Sequence, residues 1–590
     1  TGLMVREDHF QEAINTDGHL VLDIVLHREE DKHEVFSFLE QYRILILGSY
    51  RNRIRISVSA RLVLTYNLAG NTYIQAIYEY IPPVLHNDVA RHIIGIEAEG
   101  TDRVVVSETG LGEIIGVADT GIDLDHPDLR SHIIGAVAWG RKDTNDTSDP
   151  HGHGTHVTGS IVGDGTASGG KIKGMAPGAK VFFQSLMDDA GSLANFDLKL
   201  QELFKEAYEQ GARIHNNSWG SAAEARYTID STIVDEFIYD HPEMLIVISA
   251  GNEGMCNTDQ DGEKGYVGFG SVGSPATTKN GLTVGASRSK RTTGGYASAT
   301  YGKIWPDRFT DPPTSIESIS GDADSIAAFS SRGRCDDFRM KPDIVAPETD
   351  IPSAKSSLAP LSHFHGGYAS YNNAYAFMGG TSMSAPIVSG AAAITREYYR
   401  SKRGYPTPSA ALIKATLLNG TRKLNGMSAI YKSNMIPNPN QGYGMLDLSM
   451  TIPNEQNVFH LEFRDSLQDA SISLNITGQE YALRFRTQQV TWIRACLAYT
   501  DFPVRSVQNN LDLLMDYEPT RDKWSGNIGI NGNDPFVSRK EDSTNNMEII
   551  RIDTAQPGLY TVKVFARNLP KGQQGFAIVI TTGDMNVSFE

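Results

Sequence analysis

Three histidines stand close together in the stretch DPHGHGTHVTGSIVG, residues 149–163. His151, His153 and His156 follow one another at intervals of two and three residues. Zinc ligands on one helix face need a spacing of about three or four residues, and the chain has neither an HExxH segment nor a close cysteine pair. The stretch therefore favours two other interpretations. One histidine transfers a proton, or a glycine turn leads into a helix and the histidines are polar filler.

Two other segments offer partners for a proton-transferring histidine. Asp119 ends the apolar segment EIIGVAD, and open α/β sheets present functional groups at the carboxyl ends of such strands. Ser382 lies between a glycine pair and an alanine-rich segment that predicts a helix, so its hydroxyl lies near the positive helix end. A serine becomes an effective nucleophile when a base takes its proton and a third group fixes the tautomer of that base.

The segments GVADTGID, GHGTHVTG and GTSMSAP resemble the aspartate, histidine and serine motifs of the subtilisin-like serine proteases, in that family's order. The resemblance implies that Ser382 is the nucleophile, His153 the general base and then acid, and Asp119 the carboxylate that orients the imidazole. It also implies that Asn252, in MLIVISAGNEG, forms an oxyanion hole with the backbone N–H of Ser382.

The same resemblance separates the three histidines. His153 is the first histidine of HGTH, which is the position that the family uses. We expect His156, one helical turn further on, to pack or hydrogen-bond inside the protein, and His151 to be a structural residue. The flanking glycines would let the chain turn tightly where a strand meets a helix.

Substrate-binding residues are also implied by the resemblance. Ser218, Trp219 and Gly220 in NNSWGS match the segment that pairs with the substrate backbone as an added strand. Gly273 in SVGSP falls where the family has the floor of its main specificity pocket, and Glu253 would lie at the rim. The missing side chain of Gly273 would leave room for a large residue, and the exposed charge of Glu253 would select only weakly. We therefore expect broad cleavage after large residues.

Residues 1–86 alternate strand-like and helix-like patterns in the order β-α-β-β-α-β. This α+β block resembles the family's prosegment, which assists folding and inhibits the active site. The maturation site would then lie between about Tyr80 and Asn87. The chain would be either a self-processing zymogen or a cleaved complex from which this block has not dissociated. A permanent accessory domain is the alternative.

Residues 87–452 and 453–590 predict two further domains. In the first, nearly all-apolar strands alternate with amphipathic helices, which indicates an α/β fold around a parallel sheet. In the second, short strands separated by polar turns predict an antiparallel sandwich. That block resembles the C-terminal β-barrel, or jelly roll, of one branch of the family.

Charge and composition exclude several classes of protein. The 590 residues carry a net charge of −17 without a basic run, so a nucleic acid would be repelled. No apolar run approaches the roughly 20 residues that span a bilayer, and the opening TGLMVREDHF lacks the blocks of a signal peptide. We expect protein or peptide substrates and, from the resemblance, secretion or export.

Cysteine and acidic residues give weaker signals. Cys256 and Cys335 lie in polar loops, and the sequence leaves undecided whether they form a disulfide. Cys496 in WIRACLAY predicts a buried strand thiol. The resemblance implies structural calcium and no catalytic cofactor. The loops RKDTNDTSDP and NTDQDGEKG supply suitable oxygen ligands, but no EF-hand loop is present and no metal ligands are assigned.

Two other function classes stay open. A catalytically silent relative would bind peptides as a scaffold, and its usual mark is the loss of a triad or oxyanion residue, all of which this chain has. A serine esterase favours a GxSxG elbow and places its acid between the serine and the histidine in sequence, and neither holds here. The chain departs from the family pattern at Glu348 in APETD, where glycine is common, and at Thr158, where alanine is usual.

Overall fold

The protein is described by a computed structural model, which divides into two compact units, residues 1–85 and 86–590. Because residues 86–590 form one unit, the boundary that the sequence places at residue 452 stays a prediction. The described residues are 19–590 except for 60–67, 69–70, 80–87, 100, 102, 194–198, 257–263, 368–372, 430–435, 528 and 531–540.

The first unit is a small antiparallel sheet with one described α-helix. Its elements are β1 (His19–Leu26), α1 (Lys32–Gln41), β2 (Leu45–Tyr50), β3 (Arg53–Ser59) and β4 (Ile74–Glu79). The strand order is β2-β3-β1-β4. Helix α1 buries Val35 and Leu39 in the same core as Ile24 and Ile56 of the sheet. The second predicted helix and the predicted maturation segment lie outside the described residues.

The second unit is built around a seven-stranded parallel sheet. Its order is β11-β10-β9-β8-β5-β7-β6, and every pairing in it is parallel. The α/β prediction is therefore confirmed. The strands are β5 (Ile114–Asp119), β6 (Ile133–Ala138), β7 (Lys180–Ser185), β8 (Ile214–Asn217), β9 (Leu245–Ser249), β10 (Leu282–Ser287) and β11 (Ile344–Pro347).

Helices and one hairpin complete this part of the chain. In the helix Leu200–Glu209, the side chains of Leu200, Leu203, Phe204 and Ala207 are buried, which is the one-sided apolar face that the sequence pattern predicts. The antiparallel pair is β12 (Ile351–Ala354) with β13 (Tyr375–Met378). The helices are α2 (Asp88–Ile93), α3 (His153–Val162), α4 (Leu200–Glu209), α5 (Ile229–Asp240), α6 (Tyr301–Ile304), α7 (Thr381–Lys402), α8 (Ala410–Gly420) and α9 (Leu448–Thr451).

Two antiparallel sheets follow, in the orders β14-β22-β16-β20 and β19-β18-β17-β21-β15-β23. One core joins them, with Phe485 and Leu513 from one sheet and Ile493 and Ile578 from the other. The two sheets thus form a sandwich. Their strands are β14 (His460–Asp465), β15 (Glu480–Thr487), β16 (Thr491–Ala498), β17 (Asn510–Tyr517), β18 (Asp522–Ser525), β19 (Gly529–Ile530), β20 (Met547–Ala555), β21 (Gly558–Asn568), β22 (Ala577–Thr582) and β23 (Ser588–Phe589).

Neither a disulfide nor a membrane helix occurs in the part of the chain that the structure describes. Cys256, Cys335 and Cys496 are free thiols, so Cys256 and Cys335 do not form the disulfide that the sequence leaves undecided. Cys496 lies fully buried in β16, as the sequence predicted. No helix among the described residues is long and apolar enough to cross a bilayer.

A buried ion pair ties the sandwich to the parallel-sheet part. The ammonium of Lys279 contacts a carboxylate oxygen of Asp501 at 2.6 Å, and both side chains are fully buried. The same ammonium donates to the carbonyls of Phe502 and Ser506, each at 2.8 Å. Burial lowers the pKa of Lys279, and the Asp501 carboxylate opposes that shift.

We expect Asp501→Ala to lower the free energy of unfolding by about 3–5 kcal/mol, because it leaves a buried ammonium without its counter-charge. Guanidinium unfolding measures the loss. The control is Glu518→Gln, which removes the exposed pair between Arg484 and Glu518 at 3.6 Å and should change stability by less than about 1 kcal/mol. Equal effects of the two substitutions would contradict the prediction.

Candidate active site

All the site residues that the sequence predicts line one cleft. Asp119 is the last residue of β5, Ser218 directly follows β8, and Asn252 comes soon after β9. The cleft therefore lies at the carboxyl ends of parallel strands, as expected for an open α/β sheet. Its lining includes Asp119, His153, Ser218, Trp219, Gly220, Asn252, Gly273 and Ser382, and also His151 and Glu253.

Asp119 and His153 form a direct pair. Nδ1 of His153 lies 2.7 Å from Oδ1 of Asp119, which also accepts the N–H of Thr120 at 2.7 Å. The Asp119 carboxylate is buried, which shields this hydrogen bond from water. Because the carboxylate engages Nδ1, Nε2 of His153 is left to act on a proton in the cleft.

Opposing effects act on the pKa of His153. Burial alone would lower it, but the charge of Asp119 and the hydrogen bond to it outweigh burial, so the pKa lies above the ordinary 6.5. A protonated His153 cannot accept another proton. Any reaction that uses it as a base should therefore gain rate as the pH rises through this raised pKa.

The turn before His153 depends on glycines and on a buried carboxylate. Gly152 has φ +90°, and a Cβ there would come within 2.5 Å of the Phe364 ring. Asp149 accepts hydrogen bonds from the Gly152 N–H at 2.8 Å and from the Thr155 N–H at 2.9 Å. The sequence interpretation missed Asp149, although it starts the histidine stretch.

Ser382 and Ser218 are joined by two hydrogen bonds. The Ser382 hydroxyl donates to the Ser218 carbonyl at 3.0 Å, and the Ser218 hydroxyl donates to the Ser382 carbonyl at 2.9 Å. Pro386 lies four residues after Ser382 in α7 and has no N–H, so the Ser382 carbonyl lacks its usual helical donor. The Ser382 hydroxyl thus donates its hydrogen bond to Ser218 in this structure, although His153 lines the same cleft.

The Asn252 side chain is fixed at one end. Its Oδ1 accepts the Thr381 N–H at 2.8 Å and the Thr381 hydroxyl at 3.1 Å, which leaves the Nδ2 group as a donor. The backbone carbonyl of Asn252 accepts from the Arg308 guanidinium at 2.5 Å. Arg308 was missed, because nothing in its loop sequence connects it with a residue 56 positions earlier.

The other two histidines differ in their surroundings. Nε2 of the fully buried His156 lies 3.0 Å from the Ile351 carbonyl and 3.1 Å from the Ala376 carbonyl, as expected for an internal residue. Burial, and then the neighbouring His153, lowers the pKa of His156 to about 3. His151 is half-buried, and its ring lies 5.3 Å from the ring of His363. Among the described residues, no cluster of three His, Cys, Asp or Glu side chains could hold a metal ion.

Two glycines of the predicted substrate-binding set allow two segments to approach closely. A Cβ on Gly220 would lie 2.7 Å from the Ser274 carbonyl oxygen, and one on Gly273 would lie 2.9 Å from the Ser221 carbonyl oxygen. Ser221 and Ser274 pair through both backbone N–H groups there. This contact explains both glycines, and the role of Gly273 as a pocket floor stays a prediction.

An arginine organises one of the two loops named as calcium candidates. Arg141 donates to the carbonyl oxygens of Asp146 at 2.7 Å and Ser148 at 2.9 Å. It also forms an ion pair with the Asp146 carboxylate at 2.8 Å. Several oxygens of this loop are therefore already engaged by a cation of the chain itself. Most of the second loop, residues 257–263, lies outside the described residues.

Several known proteins are similar to this chain over part of its length. A serine protease/ABC transporter B family protein, tagA, of Dictyostelium discoideum is 30% identical over 567 residues, which cover 81% of this chain and 30% of that protein. Serine protease AprX of Bacillus subtilis (strain 168) is 28% identical over 346 residues, covering 56% of this chain and 67% of its own. A solved structure, S41 Psychrophilic Protease, is 23% identical with a TM-score of 0.42, covering 61% of this chain and 97% of that one.

The chain spans only 30–32% of the length of the three Dictyostelium relatives that it matches. The model of the subtilase family matches residues 110–445, more than half of the chain, and includes every residue of the cleft named above. The chain belongs to the subtilase family.

Proposed function

We propose that this chain is a serine endopeptidase that hydrolyses peptide bonds through Ser382, His153 and Asp119. The single observation that carries the proposal is the 2.7 Å contact between the buried Asp119 carboxylate and His153, in a cleft that Ser382 also lines. Membership of the subtilase family supports it. The alternative is a catalytically silent member of the fold that binds peptides as a scaffold.

In the proposed reaction, the Ser382 hydroxyl turns from the Ser218 carbonyl to Nε2 of His153. As Oγ bonds to the substrate carbonyl carbon, its proton passes to Nε2 and the carbonyl π pair moves onto oxygen. Asp119 stabilises the imidazolium, and the Asn252 amide with the Ser382 N–H binds the oxyanion. When the C–N bond breaks, His153 returns the proton to the leaving amine, and water then cleaves the acyl-enzyme by the same route.

We propose that the substrate binds as an extended strand beside Ser218, Trp219 and Gly220, with a broad preference for large residues before the cleaved bond. The Ser218 carbonyl accepts the Ser382 hydroxyl in the free protein, and a substrate N–H would take that place. Gly273 and Glu253 line the same cleft. The residues found on either side of the cleavage sites in a digested protein mixture test this preference.

We also propose that residues 1–86 act as a prosegment that inhibits the enzyme and is removed by self-processing, and that the protein is exported. The sequence resemblance and the separate compactness of this unit support the first point. Structural calcium is a further proposal that rests on the resemblance alone. The melting temperature with and without a calcium chelator measures any such contribution.

A fluorophosphonate probe tests the proposed function, because it forms a covalent adduct with an activated serine. We expect one adduct, on the peptide that contains Ser382, in the native chain and none in a heat-denatured sample. N-terminal sequencing of the same sample records whether residues before 88 are still attached. If neither the intact nor the processed form reacted at Ser382, the scaffold would be the better interpretation.

A further inference from the structure

We propose that Glu348 is a positioning residue for the oxyanion hole, because its buried carboxyl group holds the N–H of Gly380 two residues before Ser382. This inference rests on the proposed function, since an oxyanion hole has meaning only if Ser382 attacks a carbonyl group. Glu348 stands where the sequence pattern of the family commonly has glycine. The contact is therefore a feature of this chain rather than of the family pattern.

Glu348 is buried next to the start of α7. It directly follows β11, its backbone N–H donates to the Ser287 carbonyl at 3.1 Å, and its side chain is fully buried. Oε2 accepts a hydrogen bond from the Gly380 N–H. Oε1 is buried and has no hydrogen-bond partner among the described residues. The Glu348 carboxyl group thus makes a single hydrogen bond among the described residues, and its partner is Gly380, directly before α7.

Three consecutive amides lead to the nucleophile. The Gly380 N–H is held by Glu348, and the Thr381 N–H is held by the Asn252 side chain at 2.8 Å. For the third, the Ser382 N–H, the described residues provide no acceptor. The first N–H groups of a helix have no partner within the helix, so side chains must anchor them or a ligand must take them. The arrangement anchors two amides and leaves the third for an oxyanion.

The backbone at Gly380 needs such an anchor. Its φ of +123° and ψ of 150° lie outside the helical region, so α7 itself does not fix this peptide. A rotation of that peptide would change the direction of the amides at Thr381 and Ser382. Because an oxyanion donor acts at about 2.7–3.1 Å, a small change in direction weakens binding of the transition state more than binding of the substrate.

The surroundings of Glu348 favour its neutral form. Burial raises its pKa well above the ordinary value, and the neighbouring Asp350 raises it further. A neutral carboxyl group still accepts the Gly380 N–H through one oxygen. Glutamine has the same length and offers the same acceptor without a charge, whereas methionine has a similar length but offers only a weak thioether acceptor. This pair of residues isolates the acceptor from the space that the side chain fills.

The experiment compares Glu348→Gln with Glu348→Met in the full chain. We expect the Gln variant to keep kcat within about threefold of the parent protein. The Met variant should lose roughly 10- to 100-fold in kcat with KM within about threefold, which is less than the 10²–10³ typical of a deleted oxyanion donor. A peptide boronic acid forms a tetrahedral adduct with the nucleophile, so its affinity should fall by the same factor as kcat/KM.

The proposal is overturned if the Met variant keeps both kcat and boronate affinity, or if both variants lose them equally. Circular dichroism establishes that each variant is folded. If the Met variant does not fold, Glu348→Gly, with the residue that the family pattern commonly has, serves as the acceptor-free variant. A parent chain that never reacts at Ser382 refutes the proposed function, whereas a reactive parent with an equally active Met variant refutes only the role of Glu348.

Discussion

Replacement of Ser382 by alanine lowers kcat by about 10⁶-fold and abolishes the fluorophosphonate adduct, because the proposed nucleophilic oxygen is removed. KM should change little, since the cleft walls and the Asn252 amide stay in place. The alanine variant also keeps its backbone N–H, so both donors of the proposed oxyanion hole survive. A residual rate above that in water is therefore expected.

The matched control is Ser384→Ala, the same chemical change two residues further along α7. The Ser384 hydroxyl is buried and donates to the Thr381 carbonyl at 2.9 Å, so this variant loses one structural hydrogen bond of about 1 kcal/mol. We expect its kcat within a few-fold of the parent. If Ser382→Ala kept the activity, or if both variants lost it equally, Ser382 would not be the nucleophile.

The Ser382→Ala variant also tests self-processing. If the chain cleaves its own maturation segment, N-terminal sequencing should find the residues before 88 still attached in Ser382→Ala and released in the parent. Release in both proteins would show that another protease makes the cut. That result would leave the assignment of the nucleophile intact, because labelling and turnover measure it separately.

The sequence predicts the site residues well where one local pattern carries both the fold and the chemistry. The apolar run that ends at Asp119 predicts a buried strand, and its polar last residue predicts the functional edge of the sheet. Glycines beside His153 predict a tight turn, and the structure explains Gly152 by its positive φ and its contact with Phe364. Each of these signals lies within a few residues of the feature that it predicts.

Contacts between distant segments were not predictable in this way. Glu348 and Gly380 lie 32 positions apart, and Arg308 and Asn252 lie 56 apart. Such pairs depend on the strand order β11-β10-β9-β8-β5, which does not follow the chain in a simple way. The direction of the Ser382 hydroxyl likewise depends on Ser218, which only the folded sheet brings near.

Asp119→Asn should lower kcat by about 10⁴-fold while leaving the protein folded. An asparagine amide can donate to Nδ1 of His153, and this stabilises the tautomer that carries its proton on Nε2. That tautomer cannot take the proton of Ser382. The control is Asp125→Asn, an exposed carboxylate in the loop after β5, for which we expect kcat within twofold.

The pH dependence gives this prediction a second readout. In the parent, Asp119 outweighs burial and keeps the pKa of His153 above 6.5, so kcat/KM should rise with pH through that raised value. Without the carboxylate, burial remains and the pKa falls, so the acid limb of the profile should move to lower pH as the plateau drops. A plateau that fell with an unmoved acid limb would mean that His153 is not the base.

The stability that the Asp119–His153 pair provides should fall as the pH rises, whereas kcat/KM should rise. A histidine whose pKa is higher in the folded state adds stability that is fully present below its unfolded pKa of about 6.5 and is lost as the pH rises through the folded value. The difference in melting temperature between the parent and Asp119→Asn should therefore be larger near pH 5.5 than near pH 9. Because the protonated pair is most stable where His153 cannot act as a base, the contact that stabilises this part of the cleft in acid also holds the enzyme inactive there.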